Sequence, residues 1–104
     1  MTDYYDAIGK ASTRYRAMVS KFIDDNDYWG WQGKNRQKFI DLLRFIIEID
    51  FQCNQKKLSL NKLNHWIGYV QGFLIAHGIT SVKTERDATR PWFRPLDFED
   101  DYEG

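Results

Sequence analysis

Cysteine is nearly missing from this 104-residue chain, where Cys53 stands alone. One thiol cannot close an internal disulfide, and without a second cysteine no zinc motif of ordinary spacing can be built. No run approaches the roughly 20 consecutive apolar residues that a membrane helix needs. The opening residues Met1-Thr2-Asp3-Tyr4-Tyr5-Asp6 have neither the basic nor the apolar region of a secretion signal. The expectation is a cytoplasmic protein in a reducing compartment, with no membrane partner.

The signatures of common enzymes are missing too. There is no glycine-rich phosphate loop, no Gly-x-Ser-x-Gly elbow and no paired-carboxylate motif. Cys53 has no evident base beside it and reads as a small core residue rather than a nucleophile. Asp25, Asp27 and Gly30 imitate a calcium loop, but Trp29 and Arg36 stand where an oxygen ligand and a bidentate Glu are required. His65 and His77 lie about 120° apart around one helix, which separates them as metal ligands. No catalytic residue, metal or cofactor is expected.

Net charge is absent only in sum. Residues 1–96 carry 15 Lys and Arg against 10 Asp and Glu, while residues 97–104 carry five acids and no base. That division predicts one helical domain over 1–96 and an acidic, mobile tail over 97–104, which is either solvated or folded onto the basic body. A hydrophobic fraction of 42% with 29% charged residues places the chain among globular proteins of one core.

What is abundant is aromatic: four Trp, six Tyr and seven Phe make up 16% of the chain. So many rings in so short a chain put some of them at the surface, where they serve interfaces and stacking as well as they serve cores.

The periodicity is helical throughout. Tyr5, Ile8, Ser12, Tyr15, Val19 and Phe22 recur three or four apart over 3–24, with Lys10, Arg14 and Lys21 opposite and Thr2 as N-cap. Residues 24–33 break the pattern with two glycines and hold Tyr28, Trp29 and Trp31 in a loop. A second helix over 35–54 is apolar except for a stripe of Gln37, Asp41, Arg44, Glu48 and Gln52, the pattern of a central bundle helix. Ser59 caps a third through Leu63, Trp66, Ile67, Val70, Phe73 and Leu74, stopped by Gly78. Thr80 or Ser81 caps a short fourth helix over 82–89, which Pro91 ends. From Trp92 to Phe98 the two prolines predict an extended strap across the bundle. The fold class is therefore all-α, three main helices with a short fourth and a C-terminal strap.

Three constellations stand out. Asp50 lies opposite Asp41, inside the apolar face of the second helix, where it is either a satisfied core or interface carboxylate held by a Tyr, Trp or Arg, or an acid that reads a ligand. Gly68, Gly72 and Ala76 form a small-residue ridge flanked by His65 and Tyr69, suited to tight helix packing in the bundle or a homo-oligomer, or to flooring a ligand groove. Arg86, Arg90 and Arg94 recur every four residues beside Trp92 and Phe93, a pattern able to grip phosphate, although the acidic tail competes with nucleic acid there.

The stretch Leu63-Asn64-His65-Trp66-Ile67-Gly68-Tyr69-Val70-Gln71-Gly72, with Glu85-Arg86-Asp87 and Thr89-Arg90-Pro91, resembles small accessory proteins of tailed bacteriophages. The resemblance implies a protein of the host cytoplasm that binds and disables or redirects a host factor, such as a defence protein. The expected function is thus non-enzymatic capture of a host protein through Tyr28, Trp29, Trp31, Trp92 and Phe93. The alternative is a protein that sequesters a nucleotide, with His65 and Tyr69 at the base and Arg86 and Arg90 at the phosphates.

Overall fold

A computed structural model describes residues 3–26 and 34–103. They form four helices, α1 (Tyr4–Asp25), α2 (Lys34–Gln55), α3 (Leu60–Ala76) and α4 (Val82–Glu103), with no strand among the described residues. The fold is an all-α bundle. No helix among them is long and apolar enough to cross a membrane.

Local chemistry fixes the ends. Asp3 caps α1 in a reciprocal capping box with Asp6, in place of the expected Thr2. Ser59 accepts from the Lys62 amide at 3.2 Å to start α3. Gly78, at φ 71°, ends it in the left-handed conformation that a side chain resists. Of the two candidates for the α4 cap it is Ser81 that accepts from the Thr84 amide, at 3.1 Å.

Cross-helix contacts give the topology. Ser12 meets Asp50 and Phe22 meets Phe39, so α1 and α2 are antiparallel. Phe45 meets Trp66 and Phe39 meets His77, so α2 and α3 are antiparallel as well. Arg14 meets Glu85, while Trp92 shares a groove with Asp6 and Gly9, which runs α4 back along α1. The order is up-down-up-down. Ile8, Tyr15 and Val19 of α1, Leu42, Ile46 and Ile49 of α2, and Leu63, Val70 and Leu74 of α3 form the centre of the core. The turn between α2 and α3 is tied to the start of α1: the Tyr5 hydroxyl donates to the Leu58 carbonyl at 2.9 Å, and Lys56 pairs with Asp3 at 3.1 Å.

The C-terminal expectation is corrected. The fourth helix is not short and no extended strap follows it, since α4 runs through Pro91 and Pro95 to Glu103. An interior proline removes one helical hydrogen bond and crowds the preceding turn, at a cost of about 3 kcal/mol. Pro91 is exposed, so water reaches the carbonyl it leaves unpaired. Trp92 and Phe93, packed against the core, offset that cost, because burying much of an aromatic side chain contributes about 2 kcal/mol. They can pack only if the chain stays helical, which keeps them on the face that carries Glu85 and Thr89.

Candidate protein-binding face

Two kinds of seam hold the bundle, and each sits beside a groove. The first joins α4 to α1 and α3 through Glu85, which is 1% exposed. Arg14 clamps it with two parallel bonds, Nε to Oε1 and a terminal nitrogen to Oε2, both 3.1 Å. Thr80 donates to Oε2, and the Tyr15 hydroxyl, which accepts from Gln71 at 2.9 Å, also bonds the carboxylate. Burial pushes the Glu85 carboxyl up, but bonds from Arg14, Thr80 and Tyr15 outweigh it and hold the group below its ordinary value. Burial, with the carboxylate beside it, drives the Tyr15 hydroxyl well up. Among the described residues every buried side-chain polar atom has a partner, so this cluster is a satisfied structural network.

The second seam is a run of rings between α1, α2 and α3. Phe22 to Phe39 is 4.7 Å between centroids, Phe39 to Phe73 5.3 Å edge-on, Phe73 to Tyr69 6.4 Å, Tyr69 to Phe45 5.8 Å and Phe45 to Trp66 5.3 Å. These separations are those at which aromatic pairs attract. His77 stacks on Phe73 at 4.3 Å. Phe39 is buried, the other phenylalanines of the run and Trp66 are half-buried, and the run surfaces at Tyr69, which is 61% exposed. There Tyr69, Phe45 and Phe73 line a groove of about 340 Å³ with Leu42, and Lys38 and Asp41 at its rim.

Beside Tyr69 lies the small-residue ridge. Gly68, Gly72 and Ala76 are exposed, and a Cβ built on either glycine meets no atom within 4 Å. The ridge is therefore not the tight packing of α3 within the bundle that its spacing allows. His65 shares the exposed side of α3 with it.

The residues expected to bind a partner divide. Tyr28, Trp29 and Trp31 lie outside the described residues. Trp92 and Phe93 are half-buried and pack against the core, where they help to hold α4. Of the four nucleotide-reading candidates, Tyr69 lines the smaller groove, whereas His65, Arg86 and Arg90 line neither it nor the groove beside Trp92.

Asp50 is half-buried as the helical phase requires, but its partner is Ser12 rather than a Tyr, Trp or Arg. The Ser12 hydroxyl reaches Asp50 at 3.2 Å and the Gly9 carbonyl at 2.9 Å, so one proton is shared between them. Cys53, one turn along, is buried, and burial together with the Asp50 charge pushes its thiol up to about 11, which suppresses the reactive thiolate. Glu85 and Arg14 were legible only in part. Glu85 falls on one helical face with Trp92 once α4 is read as continuous, but a helix stopped at Pro91 conceals that alignment. Compared with known family models, characterised proteins and solved structures, the chain matches none.

Proposed function

We propose that the chain is a non-enzymatic binding protein that captures a partner protein on the α2–α3 face. The observation that carries this reading is the exposed end of the aromatic run. Tyr69 stands 61% exposed over an apolar groove whose other rings are fixed from behind. A rigid aromatic anchor brings contact area at small entropic cost, the character of interface hot spots. The bare ridge beside it admits a backbone at close range, so the occupant that fits is an amphipathic helix lying along α3, with its apolar side chains in the Phe45–Phe73 groove. The resemblance to phage accessory proteins supports a protein of the bacterial host as that partner.

Replacing Tyr69 by Lys puts a charge at the anchor without disturbing the core. The expected result is loss of a specific host protein from affinity pull-downs, with helical content unchanged by circular dichroism. Retention by Tyr69→Lys with loss by a Trp29→Ala/Trp31→Ala double variant would move the surface to the loop and refute this face. Added nucleotides are expected to leave the melting temperature unchanged, whereas a nucleotide-sequestering protein gains stability with the logarithm of ligand concentration.

A further inference from the structure

We propose that the groove between α1, the end of α2 and α4 is a binding site for an organic cation, an ammonium or guanidinium group seated against Asp50. The groove, of about 820 Å³, is in the size range of ligand sites and shares no residue with the α2–α3 face. The proposal therefore stands apart from the protein-capture reading.

Four observations point to a cation. Asp50 is half-buried on the apolar side of α2, and its carboxylate holds only a share of the Ser12 proton. No cationic side chain among the described residues pairs with it, and two of the three cations of the groove wall are committed elsewhere, Arg14 to Glu85 and Lys56 to Asp3. A partly desolvated carboxylate gains most from an opposite charge that also donates hydrogen bonds. Lys10 stands exposed, where water and salt screen it more than they screen Asp50.

The charge balance agrees. With their pairing partners counted, Asp3, Asp6, Asp50 and Glu85 outnumber Lys10, Arg14 and Lys56 by one. The walls agree as well, since Tyr5 and Trp92 supply aromatic faces. Lys56 Nζ already lies 5.8 Å over the Tyr5 ring, so that wall holds an ammonium within the fold itself. Finally, Gly9 opens the groove. A helix interior is less stable with glycine than with alanine, yet a Cβ at Gly9 meets no atom within 4 Å. No contact of the fold requires the missing side chain, and what it leaves is depth beside Asp50.

The test is titration of the isotopically labelled chain with spermidine and with N-acetyl-lysine amide at constant ionic strength, followed by amide chemical shifts. A neutral diol of matching length is the control. Saturable shifts at Gly9, Thr13, Asp50 and Asn54 are expected, with dissociation constants on the order of 1 mM. Asp50→Asn should weaken binding roughly tenfold, the loss of one charge-assisted contact. Gly9→Leu should abolish binding while raising the melting temperature by about 4 °C, which separates a filled groove from a damaged fold. Comparable binding of the lysine amide assigns the cation to a side chain of a protein, and a response to spermidine alone assigns it to a free polyamine. The proposal is overturned if the diol gives the same shifts, if both variants bind as the parent does, or if neither cation saturates by about 20 mM.

Discussion

Between α1 and α4 a carboxylate 1% exposed to solvent is gripped by an arginine, a threonine and a tyrosine, whereas between α2 and α3 the contact is ring on ring. The polar seam is directional. Arg14 meets both oxygens of Glu85 at 3.1 Å, and a shift of α4 by one turn would strand a buried charge, so it selects one register. The aromatic seam is non-directional and supplies contact area, and its outer end stays open to a partner. One seam decides where a helix sits; the other decides how firmly the bundle coheres and where it can grow.

Removing one member of each seam separates the two. Phe39→Ala should have the largest effect, because Phe39 is 4% exposed and touches Phe22, Phe73 and His77. A loss of about 4 kcal/mol is expected in urea unfolding.

Arg14→Met should cost about 3 kcal/mol at pH 7, since it leaves Glu85 buried without its cation. Its pH dependence carries the distinctive signature. In the parent chain the folded value of Glu85 lies below the 4.5 of the unfolded chain, so its contribution is complete above that pH and is lost as pH falls through the folded value. In the variant only the Thr80 and Tyr15 bonds oppose burial, so the folded value rises relative to that of the parent. The stability attributable to Glu85 that the parent loses on acidification should therefore shrink in the variant. Unfolding curves at a series of pH values read that change in slope, and parallel profiles for parent and variant would refute the assignment of Arg14 as the group that keeps Glu85 ionised.

The smallest effect probes the open end. Gly72→Ala puts a methyl into empty space on a helix and should stabilise the isolated chain by about 1 kcal/mol in thermal unfolding. The same methyl should weaken capture of the partner in the pull-down. Unchanged capture would mean that no backbone approaches α3 there.

Much of this architecture was readable in the sequence. The spacing in α1 from Ile8 to Val19, the polar stripe of α2 and the Ser59 and Gly78 boundaries of α3 are local signals, and local signals survive folding when the core agrees with them. Pro91 misled because its cost is local while the compensation is not: the packing of Trp92 and Phe93 against other helices appears nowhere in residues 82–98. Arg14 misled similarly. On α1 alone it belongs to the solvent side, and only the arrival of α4 makes it a half-buried residue with a buried partner. Asp50 was identifiable as an anomaly by helical phase, but its neighbour Ser12 lies 38 positions away and could not be named. On the surface, sequence pattern located the Gly68–Gly72 ridge without saying whether another helix of the bundle covered it.

The prolines of α4 have a mechanical consequence. A proline has no N–H to donate to the turn before it, so the carbonyls of Asp87 and Pro91 have no amide to accept from and the hydrogen-bond ladder lacks two rungs, one turn apart. Up to Arg90 the helix is a continuous rod bolted down at Glu85, whereas beyond it the rod is spliced, and the half-buried Trp92 and Phe93 act as the clamps across the splice. Pulled from its C-terminal end, α4 would part first along its spliced length and arrest at Glu85, which would leave the three-helix core and the aromatic run intact.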